Sequence, residues 1–220
     1  MGNGSIRDRL TPYDCLVIMI DCQLQFALTI PSMERHRLIR NAVSLAKTAR
    51  TFSIPTVLTT IGEEAFGGPL FPKLHEVLPE GKLFPRLTMS IWDDDGIVKA
   101  IETTGRNRLV MAGVWTDFCV VRSVTQALER GYEVFVVADV CGDLSPQADD
   151  DATRRMIQAG AVPMTWLQVL LELEYDPQHK HHNDLYVSVV KEHAGAYGLD
   201  IEYPLGSVNA RRGKKMTKRI

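Results

Sequence analysis

The chain has 220 residues, 45% of them hydrophobic and 24% charged, with a formal net charge of -2. That length suits one large domain with an extension better than two full domains, and no apolar run reaches the ~20 residues needed to span a bilayer. Interspersed charge close to neutrality offers a polyanion nothing to grip, so neither nucleic acid nor membrane is expected as a partner, and a small-molecule substrate is.

Taken in chain order, Cys15 to Ile20 is an unbroken apolar run closed by Asp21, the pattern of a strand buried on both faces of a parallel sheet. Leu38, Ala42, Leu45, Ala46 and Ala49 recur at helical spacing between Pro31 and Pro55. Pro55 to Thr60 reads as a second strand, and the proline-rich segment Gly62 to Arg86 as a long functional loop. A helix is expected over Asp95 to Thr103 and a strand over Arg108 to Ala112, broken by Gly113. Val114-Trp115-Thr116-Asp117-Phe118-Cys119 then leads into a helix with Val120, Val124, Ala127 and Leu128 on one face and Gly131 as its stop. A strand over Glu133 to Asp139, a helix over Asp151 to Ala159, a short strand near Val162 and a helix over Thr165 to Leu173 continue the alternation. From Tyr175 the pattern changes to a loop carrying His179, His181 and His182, a helix over Asp184 to Ala196, and the basic end Arg211-Arg212-Gly213-Lys214-Lys215.

The expected fold class is therefore α/β: a single three-layer domain over residues 12–173, with a parallel sheet flanked by helices in Rossmann-like order, and a C-terminal extension over 174–220. Such sheets place their sites beyond the carboxyl ends of the strands, the edge to which Asp21, Cys119 and Asp139 map. Cys15, Cys22, Cys119 and Cys141 show no CxxC spacing, and no basic-then-apolar leader opens the chain. A cytoplasmic location with free thiols is the expectation.

A thiol at a helix N-terminus faces unpaired N–H groups and the positive end of the dipole, which lowers its pKa and makes Cys119 a candidate nucleophile. The structural alternative is a buried cysteine acting as a small hydrophobe. Asp21 ends an apolar strand, where a carboxylate is costly unless paired or used, and this suits a general base; a cap or loop hydrogen bond is its alternative. Arg86, in Leu83-Phe84-Pro85-Arg86, reads on its own as a surface charge.

These three positions coincide with a family pattern. Through Ile18-Met19-Ile20-Asp21-Cys22-Gln23, Pro55-Thr56-Val57-Leu58-Thr59-Thr60 and above all Gly113-Val114-Trp115-Thr116-Asp117-Phe118-Cys119-Val120, the chain resembles the isochorismatase-like cysteine hydrolase superfamily from about Pro12 to Leu173. Phe66-Gly67-Gly68-Pro69-Leu70, Ile91-Trp92-Asp93, Val134 to Asp139 and Met164-Thr165-Trp166 look closest to its YcaC-type branch. The resemblance implies a triad of Asp21, Arg86 and Cys119, with arginine where lysine is more usual. It implies a cis peptide between Val114 and Trp115, an oxyanion hole made by the N–H groups of Trp115 and Cys119, and a substrate pocket lined by Trp115 and Phe118. The implied activity is amidase-type: cysteine-dependent hydrolysis of a small amide or related C–N carbonyl compound through a thioester, not of a peptide bond. A homo-oligomer, possibly an octamer, is implied as well, with the apolar stretch from Trp166 to Leu173 as a contributor. The Asp-x-His and further His that bind a metal in nicotinamidase members have no counterpart near Asp21 or in the Gly62 to Pro85 segment, so no metal and no cofactor is expected.

Two other readings stand beside this one. The same fold could be a redox-responsive or non-catalytic protein that uses Cys119 as a reactive thiol. A nucleotide-binding Rossmann protein ranks last, since neither GxGxxG nor a Walker glycine loop follows any expected strand.

Overall fold

In the computed structural model, which describes residues 9–174 and 183–199, the apolar runs become six strands: β1 Cys15–Ile20, β2 Thr56–Ile61, β3 Lys82–Arg86, β4 Arg108–Val114, β5 Glu133–Gly142 and β6 Val162–Met164. They pair in the order β3-β2-β1-β4-β5-β6, and every pair is parallel. The chain winds outward one way from β1 and then the other from β4, so the crevice between those two strand ends is the place where such sheets bind ligands. Every residue of β1 is buried, which is why its sequence carries no polar alternation.

The helices among the described residues are α1 Leu24–Leu28, α2 Arg35–Thr51, α3 Pro72–Val77, α4 Asp95–Thr103, α5 Val121–Glu129, α6 Pro146–Ala159, α7 Trp166–Glu174 and α8 Asn183–His193. The stripe Leu38, Ala42, Leu45, Ala46 and Ala49 is the buried face of α2. Asp94 caps α4 through the Ile97 N–H, and Ser145 caps α6 through the Ala148 N–H with Pro146 in its first turn. That cap and proline start α6 earlier than the Asp151 expected.

Several expectations need correction. The Gly62 to Arg86 segment is not one loop: it holds a π-helical turn at Glu63–Gly67, then α3, then β3. Pro85 masked β3, yet proline is tolerated there because β3 is an edge strand, paired only with β2. Gly113 does not break β4. The ladder runs on to Val114, and a Cβ at Gly113 would lie 2.2 Å from the Ile20 carbonyl oxygen, so the glycine permits a close approach of β4 to β1. β5 continues past Asp139 to Gly142, with its register shifting opposite Met111 and Gly113. Asp139 serves packing: its Oδ1 accepts the Trp166 N–H at 2.8 Å at the start of α7. Helix α7 packs on α2 and β5 and buries Trp166, Val169, Leu170 and Leu173, so most of the apolar surface expected to meet another copy is used within the chain.

The chain divides into two compact units between Asp176 and Pro177, the second containing α8. His179, His181, His182 and the basic end Arg211 to Lys215 lie outside the described residues. No helix among the described residues is long and apolar enough to cross a membrane.

Candidate active site

Parallel register sets Ile20 beside both Thr59 and Gly113, and Ile61 beside Arg86, so β1, β2, β3 and β4 all end at one edge. The three side chains singled out in the sequence meet there. Arg86 Nη2 donates to Asp21 Oδ2 at 2.5 Å, with both side chains fully buried. Arg86 Nη1 donates to the Thr88 carbonyl, and Thr59 Oγ1 donates to Asp21 Oδ1 at 2.9 Å. The Cys119 thiol is within hydrogen-bonding reach of both Asp21 and Arg86. Asp21 and Cys119 are 0% exposed and Arg86 is 4% exposed, so the arginine is an interior charge and not the surface one its local sequence suggested.

Two non-glycine residues here adopt left-handed backbone, Asp21 at φ 53° and Trp115 at φ 60°. Each costs about 1–2 kcal/mol and persists because its surroundings hold it. At Asp21 the N–H donates to the Thr59 carbonyl at 3.0 Å, and the Asp21 carbonyl accepts the Gln23 N–H at 2.6 Å.

Cys119 sits in a π-helical turn, Thr116–Val120, between β4 and α5. Thr116 Oγ1 donates to Asp149 at 2.6 Å, the Asp117 N–H to Asp143 Oδ2 at 2.5 Å, and Ser123 Oγ to the Cys119 carbonyl at 2.6 Å. These bonds anchor the turn to the start of α6, the end of β5 and α5. Three expectations fail in it. The Val114–Trp115 peptide bond is trans, because β4 keeps its ladder through Val114 and the Trp115 N–H donates to the Gly142 carbonyl at 2.8 Å. The expected backbone oxyanion hole is likewise occupied, since the Cys119 N–H donates to the Trp115 carbonyl at 3.0 Å.

The third failure is the thiol's acidity. Burial pushes Cys119 up to about 12, the Asp21 carboxylate adds to the rise, and Arg86 pulls against both. A helix-terminus argument assumes free N–H groups facing the sulfur, whereas here desolvation dominates. Burial also raises Cys15 and Cys141 to about 12 and raises Cys22, so Cys119 is set apart by its charged partners and not by its acidity. Asp21 is raised above its ordinary value by burial, opposed by Arg86, Cys119 and Thr59.

The Trp115 indole packs on Phe26, with ring centroids 4.3 Å apart, and lies 6.5 Å from Phe66. Phe118, expected in the substrate pocket, is 43% exposed and lines a separate cavity of about 210 Å³ with Met89, Arg122 and Arg155. The turn places adjacent side chains on different sides, so Cys119 faces Asp21 while Phe118 faces outward. Arg86 borders another cavity, of about 730 Å³, with Glu63, Glu64, Leu87 and Asp94.

Two contributors were not anticipated. Thr59 orients Asp21, and its signal was a hydroxyl at the end of the neighbouring apolar strand. Gln23 is fully buried and ties the end of β1 to the Gly62–Gly68 segment: Nε2 donates to the Ile61 and Gly68 carbonyls, and Oε1 accepts the Ile61 N–H. A Cβ at Gly67 would lie 2.3 Å from that Nε2. Among the described residues, no group of three or more His, Cys, Asp or Glu is placed to hold a metal ion.

The Isochorismatase domain family matches residues 15–168. Probable hydrolase YcaC of Escherichia coli (strain K12) is 36% identical over 169 residues, covering 76% of this chain and 81% of the relative. YcaC from Pseudomonas aeruginosa, solved with hexane-2,5-diol and covalent acrylamide, has a TM-score of 0.84 at 34% identity over 91% of this chain and 98% of that one. The Escherichia coli YcaC structure, described as an octameric hydrolase of unknown specificity, has a TM-score of 0.85 at 32% identity over the same 91% and 98%.

Proposed function

This chain belongs to the isochorismatase family of hydrolases, in its YcaC-type branch, and on that premise we propose that it hydrolyses a small amide or related C–N carbonyl compound with Cys119 as nucleophile and Asp21 as base. The observation that carries the reading is the buried Asp21–Arg86 pair in hydrogen-bonding reach of one thiol out of four. A thiol raised to about 12 rests as S–H, so its proton passes to Asp21 as the sulfur attacks the carbonyl carbon. Burial helps, because an aspartate raised above its usual value is a stronger base. Asp21 then gives that proton to the departing amine, and a thioester remains. In the second half Asp21 takes a proton from water, the hydroxide adds to the thioester, and the acid leaves as the thiol is restored. Arg86 stays protonated throughout and balances the charge that builds on sulfur and oxygen. The Pseudomonas aeruginosa relative was solved with covalent acrylamide, an alkene electrophile to which thiols add, and this favours a reactive nucleophile in the branch.

Ammonia release over a panel of small amides, ureides and imides tests this, run in parallel with Cys119→Ala. Release from at least one member, falling to background in the variant, is the expected result. A flat panel, or equal release by the variant, overturns the reading. Peroxide reactivity of Cys119 without turnover of any amide would instead favour the redox alternative.

Assembly is part of the same proposal. The Escherichia coli relative is octameric, and on this chain Leu28, Leu87 and Met89 stand exposed, Leu87 at 86%. Such side chains suit burial against further copies. Light scattering should return about eight times the 24.6 kDa of one chain. A single-chain mass overturns the oligomer, and a smaller multiple overturns the octamer. The four free cysteines suit a reducing cytoplasm.

A further inference from the structure

Arg86 and Cys119 come to the site on different segments, and hydrogen bonds tie those segments to each other. Arg86 Nη1 donates to the Thr88 carbonyl, two residues further along the chain. From there residues 88–92 pack on α5. Thr88 Oγ1 donates to the Ser90 carbonyl at 3.0 Å, and Ser90 Oγ donates to Gln126 Oε1. The Trp92 N–H donates to Ser90 Oγ at 3.1 Å, and the Trp92 indole N–H to the Ser123 carbonyl at 2.8 Å. Ser90, Ile91, Trp92 and Ser123 are all buried, and a buried network whose members are satisfied is rigid.

One hydroxyl in this set reaches the nucleophile. Ser123 Oγ accepts the Ile91 N–H at 3.3 Å and donates to the Cys119 carbonyl at 2.6 Å. Returning a hydroxyl to the carbonyl four residues back is ordinary for a serine or threonine in a helix. Thr125 does so on the same helix, and both of its bonds go to carbonyls close by in sequence, Val121 and Arg122. Ser123 differs because its oxygen also takes an N–H from the segment that anchors Arg86. The other bonds between the two segments end on the Gln126 side chain and the Ser123 carbonyl, so this hydroxyl is the link made at the peptide of Cys119 itself.

We propose that Ser123 is a positioning residue for the reaction: its hydroxyl fixes the Cys119 peptide to the segment that anchors Arg86, and so sets the thiol against the Asp21–Arg86 pair. The proposal rests on Cys119 as nucleophile. A displacement of about 1 Å in a reacting group costs on the order of 10²-fold in rate, so a bond to the nucleophile's own carbonyl has leverage on the chemistry.

Three variants test it. Ser123→Ala removes the bridge, Ser123→Thr keeps a hydroxyl in its place, and Thr125→Val removes only the ordinary back-bond. The readouts are kcat and KM on an amide found active, and the pH profile of Cys119 labelling by iodoacetamide, followed by peptide mass mapping. In Ser123→Ala, kcat should fall roughly tenfold with KM little changed, since the loss lies in aligning the thiol and not in binding. The labelling profile should move to lower pH. Burial and Asp21 together outweigh Arg86 at the sulfur, so a thiol held less firmly among them returns toward its ordinary value. Ser123→Thr should recover both readouts, and Thr125→Val should match the unaltered protein. Unchanged kcat and profile in Ser123→Ala overturn the positioning role and leave the nucleophile standing. So do equal changes in Thr125→Val, or a Ser123→Thr protein that behaves like Ser123→Ala. A flat amide panel, or labelling that spares Cys119, overturns the nucleophile itself and the positioning role with it.

Discussion

Arg86→Met is expected to lower the free energy of unfolding by about 3–5 kcal/mol at pH 8, and by far less at pH 4. The Arg86–Asp21 pair is fully buried at 2.5 Å, so deleting the cation leaves a carboxylate inside the protein with only neutral partners. The pH dependence follows from linkage. Burial raises Asp21 in the folded protein, while in the unfolded chain it titrates near ~3.9. Stability tied to the bound proton is complete below the unfolded value and is lost as pH climbs through the folded one. Arg86 is the strongest influence opposing that rise, so its removal moves the folded value higher and extends the loss over a wider pH range. Urea unfolding of both proteins from pH 4 to pH 8 measures the difference. Adding Asp21→Asn to Arg86→Met should restore most of the stability at pH 8, because no buried charge is then left unpaired. An equal deficit at both ends of the pH range would show that the pair acts through packing and not through charge.

Asp21→Asn by itself should reduce kcat/KM on any amide found active by about 10²- to 10⁴-fold, the usual contribution of a positioned general base. The same change should make Cys119 easier to alkylate. Asp21 raises the thiol both through its negative charge and by accepting its hydrogen bond, while Arg86 lowers it. Asparagine removes the first influence and leaves the second, so the iodoacetamide rate profile should shift to lower pH while turnover falls. A purely structural role for Asp21 predicts that the two readouts decline together. Preserved turnover, or an alkylation profile moved to higher pH, would remove Asp21 from the role of base.

Much of this was legible in residues whose meaning is local. The six apolar residues before Asp21 could only be a strand covered on both faces, and strand and helix periods along the chain were enough for a parallel α/β sheet. Asp21 and Cys119 declared themselves by their places at the ends of such segments, and the glycine-to-cysteine block carried the family. What the sequence could not settle is what depends on distant neighbours. Arg86 looked like a surface charge because its edge strand is short and contains Pro85; pairing with β2 is what carries it inward to Asp21. Gly113 looked like a break because the residue it must avoid, Ile20, is far away in sequence. The acidity of Cys119 came out opposite to expectation for the same reason. Helix position and a nearby arginine can be read along the chain, but desolvation is set by how completely other segments enclose the sulfur, and in this fold the enclosure is the larger effect.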